Sequence, residues 1–562
     1  MGKSLYIAEK PSVAQEFAKA LRLNTTRRDG YIEAEEAVVT WCVGHLVTMS
    51  YPESYDARLK RWSLETLPFI PQTFKYEIID NVKKQFEIVK RLLNRSDIDT
   101  IYVCTDSGRE GEYIYRLVEQ MAGVSGKTRR RVWIDSQTEE EILKGIRTAK
   151  DLAEYDNLAA SAYLRAKEDY LMGINFSRVL TLKYGDTISR CMSTDRTVIS
   201  VGRVMTCVLG MVVRREREIR EFVPTPFYRV MAEINMDGNI VDAEWKAVKG
   251  SAHFEQPYLY KDNGFQEREK AQAMIDYLKE GNPPAQLVLS EKKTEKKNAP
   301  LLYNLAELQN DCSKMFKISP DDTLKIVQGL YEKKLVTYPR TDARVLSTAV
   351  AKEIHKNIGG LRAIPGVAGF AEEILAQGLH KNIAKTRYVN DKQITDHYAI
   401  IPTGQGIGAL KSASPLAVKV YEVIVRRFLS IFFPPAVYLK YAMEFTIKEE
   451  HFFASFKVLK EEGYLKVTGY KKPESKTTQR EEIPVISTEE ESSDVTEKGK
   501  YKNHNEDLKN NPEFMVYLSK VKKGATFPVN DLVIREGETS APKRYTSGSM
   551  ILAMENAGQL IE

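Results

Sequence analysis

Apolar positions in the first 150 residues fall into short continuous runs, each followed by a stripe at helical spacing. Leu5, Tyr6, Ile7 and Ala8 predict a short buried strand. Pro11 then suits the first turn of a helix, with Val13, Phe17, Ala20 and Leu21 along one face. The logic repeats further on. Thr100 to Cys104 (TIYVC) predicts a strand, and Tyr113 to Met121 a helix carrying Ile114, Leu117, Val118 and Met121 on one side. Residues 151–220 read mainly as helix. From Phe227 onward the alternation in YRVMAEINM, and later in YLKYAMEFTIK, predicts β-strands. Residues 295–405 are again helix-rich and include the amphipathic run Leu305 to Phe316. Residues 471–512 are polar, charged and nearly free of core-building positions, which predicts a flexible insertion or linker. No internal repeat is present.

Composition narrows this picture. A chain of 562 residues predicts roughly three or four domains. At 43% hydrophobic and 28% charged it has the make-up of a globular protein. Its net charge of +6 permits nucleic-acid binding without demonstrating it. The five cysteines are scattered with no C-x-x-C pair, which argues against a zinc ribbon and against a secreted disulfide framework. The N-terminus passes from a short apolar run straight into charged residues, unlike a signal peptide, and no run approaches the ~18 apolar residues of a membrane span. A cytoplasmic protein with no membrane partner is expected.

The candidate chemistry sits where the pattern changes. Glu9 and Lys10 lie where a strand ends and a helix begins, the edge at which open α/β sheets bind ligands. Between the second strand and helix lies TDSGREGE, with Asp106, Glu110 and Glu112 beside Gly108 and Gly111. Clustered carboxylates repel one another unless they meet a cation, and hard oxygen ligands at a strand end suit Mg²⁺. The alternative reading, a merely solvated turn, loses ground beside Glu9 and Lys10 at a matching edge. In LVTYPRTD (Leu335 to Asp342) Tyr338 precedes Arg340 by two positions, and Pro339 biases Tyr338 toward an extended backbone. A phenol attacks a phosphodiester only when its own charge and that of the phosphate are stabilised, and an arginine fork can do the latter. Arg165 and Asp169 share a helix face and can pair. Arg178 and Arg203 lie near glycines, where phosphate contact and ordinary solvation are both open readings.

IAEKPSVA, TDSGREGE and YPRT, in that order, resemble the type IA DNA topoisomerases, the bacterial topoisomerase III branch in particular. VTWCVGHLVTM, RWSLETLPFIP, RAKEDYLMGINFSR, SVGRVMT, DHYAIIPT and KRYTSGSMILAMENAG are similar to further segments of that family, collinearly over nearly the whole chain. The resemblance implies a multidomain fold, mixing α/β, α and β parts around a toroidal core. Its Toprim α/β metal-binding domain would span 1–150, and the first part of a helical DNA-gripping domain 151–220. A β-rich arch would occupy 221–290 and return at 406–470, around a helical tyrosine domain at 291–405. The polar insertion follows at 471–512, then the arch end and the start of the second DNA-binding part at 513–562.

The resemblance also implies roles. Tyr338 would cleave one DNA strand through a 5′-phosphotyrosine, pass another strand and religate, relaxing negative supercoils or decatenating DNA without ATP. Arg340 and His397 would stabilise the phosphate, Lys10 would protonate the departing 3′-oxygen, and Glu9 would assist. Glu9, Asp106 and Glu110 would hold Mg²⁺. Trp62, Arg165, Asp169, Tyr170, Arg178, Ser200, Val201, Gly202, Arg203, Val204, Met205 and Arg340 would contact single-stranded regions of duplex DNA. Gly108 stands where the family usually carries the second aspartate of a D-x-D pair, so weaker metal binding is expected; Met205 stands where glutamine is usual. The resemblance also implies a glycine-rich segment that this sequence does not contain, so a separately encoded C-terminal partner or a truncated relative is expected; a helicase partner and a nucleoid-associated setting are expected as well. The competing expectations are a Toprim-type nuclease or primase, and a truncated DNA-binding relative that needs a partner chain.

Overall fold

The structure, a computed structural model, describes residues 2–469, 495–498, 504–509 and 511–556. It forms two compact units. The first comprises the chain up to Met211, Leu301–Phe428 and the stretch from Thr546; the second comprises Val212–Pro300 and Leu429–Tyr545. Among the described residues, no helix is long and apolar enough to cross a membrane.

The first unit opens with a seven-stranded sheet, ordered Thr26–Arg28, Tyr31–Glu33, Ala37–Trp41, Lys3–Ala8, Ile98–Cys104, Thr128–Arg131, Lys150–Asp151. Lys3–Ala8 pairs in parallel with both Ala37–Trp41 and Ile98–Cys104. Parallel strands need cover on both faces, and the sequence supplies it. Leu5, Ile7, Val38, Ile101 and Val103 pack on Phe86, Val89, Leu117 and Val118. On the opposite face Tyr6, Ala8 and Val39 pack on Val13, Phe17 and Ile142. Both predicted strand-to-helix turns therefore lie at one end of adjacent parallel strands. Helices Asp156–Met192 and Arg203–Glu221 follow. The tyrosine segment comes after helices Leu305–Phe316 and Pro320–Glu332 and has irregular backbone, tied by Thr337 N–H to Ile401 O at 3.0 Å.

The second unit is built on a ten-stranded sheet whose longest members include Pro226–Met236, Ala285–Lys297, Ala436–Ile447 and Glu450–Glu461. Alternation decides its faces: Val230, Ala232 and Ile234 join Trp245, Phe445, Phe452 and Phe456 in one core. Most of the expected polar insertion, 471–494, 499–503 and 510, lies outside the described residues. Within its span, Val495–Lys498 pairs with Val529–Thr539, and His504–Leu508 forms a short helix.

Candidate active site

Helix Arg109–Ala122 begins directly after Gly108, earlier than the apolar stripe predicts, so Glu110, Gly111 and Glu112 belong to its first turn. Acidic residues favour a helix N-terminus, which explains the early start. Gly111 is required there: a Cβ would lie 2.0 Å from Asp106 O. The close approach is fastened by Thr105 Oγ1 donating to Gly111 O at 2.8 Å.

This geometry separates the three carboxylates that the sequence groups together. Glu112 is fully buried and accepts from Arg131 Nε and Arg116 Nε, each at 2.9 Å, so its cation is a pair of guanidinium groups rather than a metal. Arg131 also donates to the carbonyls of Val103, Thr105 and Val132, and to Asp106 O at 2.7 Å, bracing the turn that presents Asp106. Glu110 turns outward to His45, with Oε1 2.5 Å from Nε2, and this contact holds its carboxyl below the usual range.

Glu9 and Asp106 do meet. Glu9 Oε2 accepts from Asp106 N–H at 3.3 Å. Burial, and then the charge of Asp106, push the Glu9 carboxyl up to about 7. Burial raises Asp106 as well. Tyr338 Oη donates to Asp106 Oδ2 across 3.4 Å, and burial followed by the Asp106 charge raises the phenol far above its ordinary value. His397 lies beside it, ring centroids 4.5 Å apart. Arg340 is exposed, and its charge favours ionised Glu9 and Asp106. Lys10 is engaged elsewhere, Nζ donating to Glu332 Oε1 at 2.8 Å.

Two half-buried acids, both pushed toward protonation by loss of solvent and Glu9 further by the Asp106 charge, mark a place where a divalent cation can replace a proton. Their hard oxygens fit Mg²⁺. Glu110 reaches the same place only by leaving His45. Among the described residues, the one trio of potential ligands with all atoms within 4.8 Å is Glu233, Asp242 and His504 in the second unit.

A cavity of about 560 Å³ opens over this cluster, lined in part by Tyr338, Arg340, His397, Glu110, Arg165 and Asp169. Other candidate DNA contacts lie along helix Asp156–Met192, in the turn leading into helix Arg203–Glu221, and in the loop around Trp62. Asp169 pairs with Arg203 at 2.9 Å rather than with Arg165. Val201 N–H donates to Ser177 Oγ at 2.8 Å, Ser200 is exposed, and Val204 and Met205 project to solvent in the first turn after Gly202. Arg178 is buried: Nη1 donates to Leu59 O at 2.9 Å and the guanidinium sits 5.3 Å from the Trp62 ring. Tyr170 donates to Ser50 O at 2.6 Å. These last side chains clip the loop from Ser50 to Trp62 onto the helix.

Sequence reasoning missed Arg131, Asp135, Glu332 and His45. His45 lies inside VGHLVT, where a histidine among apolar residues was the available signal. Nothing local distinguishes the others.

A family model described as DNA topoisomerase matches residues 153–559, and a Toprim domain model matches residues 4–136. DNA topoisomerase 3 of Bacillus subtilis is 34% identical, across 100% of this chain and 68% of the relative. DNA topoisomerase 3 of Bacillus licheniformis is likewise 34% identical, with the same coverage. Among solved structures, full-length topoisomerase I from Thermotoga maritima superposes with a TM-score of 0.63 at 20% identity, covering 99% of this chain and 75% of that one, a likeness of fold.

Proposed function

Since this chain belongs to the type IA DNA topoisomerase family, an isomerase class that cuts one strand, passes another and reseals without ATP, we propose that Tyr338 is its nucleophile. The observation that carries the assignment is the Tyr338 hydroxyl against Asp106, under a cavity rimmed by Arg340, His397 and Arg165. A phenol this far from ionising needs an acceptor for its proton, and Asp106, made more basic by burial, is the one it touches. In the cleavage step Tyr338 Oη bonds to phosphorus and its proton passes to the carboxylate. The bond from phosphorus to O3′ breaks, and Lys10 donates a proton to the leaving oxygen. Arg340 and His397 hold the non-bridging oxygens as charge builds. Religation reverses every bond change, so the phosphodiester energy is retained in the protein-linked DNA.

Lys10 serves as the acid only after exchanging Glu332 for the DNA. Glu9 and Asp106 would hold Mg²⁺, with Glu110 joining on release from His45. When bound, the ion supplies positive charge against the phosphate and 3′-oxygens. Arg165, Arg203 and the exposed turn from Ser200 to Met205 would track the single strand, while Trp62, Tyr170 and Arg178 would shape the groove from beneath. The sheet of the second unit would be the arch.

Covalent trapping tests the assignment. The protein is incubated with a 3′-labelled single-stranded oligonucleotide and Mg²⁺, then rapidly denatured. A labelled adduct with the wild type and none with Tyr338→Phe is expected. Cut label free of protein would favour a nuclease, and an adduct persisting in Tyr338→Phe would remove Tyr338 as the nucleophile.

A further inference from the structure

Both nitrogens of the His397 ring are committed, and both partners belong to the N-terminal sheet domain. Nδ1 lies 2.6 Å from Asp135 Oδ1, and Nε2 contacts Ser107 O. Each ring nitrogen thus faces an oxygen of the N-terminal sheet domain, a side-chain carboxylate on one side and a backbone carbonyl on the other. Asp135 makes a second, separate contact: its backbone carbonyl accepts from Tyr338 N–H at 3.0 Å. Trp133 stacks on the imidazole, centroids 6.0 Å apart and planes within 13°. On its own segment His397 O accepts from Thr341 Oγ1 at 2.8 Å. The ring is therefore 3% exposed and fixed from every side, in a loop with no regular structure of its own.

We infer that Asp135 is a positioning residue for the cleavage reaction, holding His397 through Nδ1 while Nε2 exchanges Ser107 O for a phosphate oxygen of the DNA. The inference rests on the reading of His397 as a phosphate contact. Its physical basis is the difference between the two partners. Ser107 belongs to the turn that presents Asp106 and offers only a neutral carbonyl, so a phosphate oxygen replaces it with a gain in charge. Asp135 offers a carboxylate, which keeps the proton on Nδ1 and the ring in plane throughout. Through its backbone carbonyl the same residue sets the distance between ring and nucleophile. Asp135 touches neither substrate nor reacting atoms; it acts through His397.

The test is a double-mutant cycle on the full chain, read as the single-turnover rate of adduct formation on labelled oligonucleotide with Mg²⁺. Asp135→Ala and the isosteric Asp135→Asn should each slow cleavage about tenfold to a hundredfold, by analogy with removing the carboxylate behind a metal-bound histidine. Single-strand dissociation constants should be unchanged. His397→Ala should slow cleavage at least as much, and adding Asp135→Ala to it should cost less than a further twofold. Losses that multiply in the double variant would overturn the inference, because Asp135 would then act independently of the histidine. A slow His397→Ala beside wild-type rates in both Asp135 variants would overturn it and leave the histidine's phosphate role standing. An unimpaired His397→Ala would remove that role and the inference together.

Discussion

At the scale of single residues, Glu9 is an acid of the candidate site displaced well above its behaviour in water. Its carboxyl rises from 4.5 to about 7 because burial and the neighbouring Asp106 charge both oppose ionisation. A carboxyl whose folded value is raised stabilises the fold fully below its unfolded value and loses that contribution as pH climbs through the folded one. In EDTA, the melting temperature of the wild type relative to Glu9→Gln should therefore be highest below about pH 4.5 and fall between there and pH 7. A difference that stays constant with pH would mean that Glu9 is solvated. Adding Mg²⁺ at pH 8 should raise the wild-type melting temperature and leave Glu9→Gln nearly unmoved, since the ion would occupy the place the proton leaves. Equal rises in both proteins would place the metal elsewhere. The sequence made Glu9, Asp106 and Tyr338 legible because their chemical types are unusual at strand ends and beside proline and arginine. It did not expose Asp135, an ordinary aspartate in RVWID whose importance comes from a histidine 262 residues away.

Among secondary-structure elements, the turn between strand Ile98–Cys104 and helix Arg109–Ala122 depends on a buried charge pair that sequence pattern disguises. Glu112 and Arg131 are both completely buried, and Arg131 carries the backbone of the turn on its remaining donors. Removing one partner strands the other charge in the interior, a loss of about 3–5 kcal/mol. Glu112→Gln should thus lower the denaturant midpoint sharply, whereas Glu110→Gln, on a largely exposed side chain, should change stability by about 0–1 kcal/mol. Comparable losses at both positions would contradict the division of labour between them. The helix itself was legible from Ile114, Leu117, Val118 and Met121, but its first turn was not. Glycine and charged residues carry no apolar periodicity, and only Gly111 against Asp106 O explains why the turn tightens there.

For the molecule as a whole, a strand must reach a nucleophile that is buried at the floor of its cavity. The contacts around it, all within the first unit, join the N-terminal sheet domain to the tyrosine segment and its flanking helices. Lys10 pairs with Glu332, Glu16 with Lys334 and Glu140 with Lys356, alongside the His397 clasp. Such contacts span hundreds of residues, so no local pattern foretold them; the sequence pointed to candidate residues and not to the contacts between them. Partly exposed ion pairs are each weak, about 0–1 kcal/mol, and screened by salt. DNA phosphates would compete for the same lysines and would loosen such contacts. Glu332→Gln should release Lys10 toward the DNA and speed single-strand association by up to about fivefold at low salt, with the advantage vanishing as salt rises and screens the wild-type pair too. Stopped-flow binding across a salt series would measure it. An association rate equal to wild type at every salt concentration would show that the pair does not govern access.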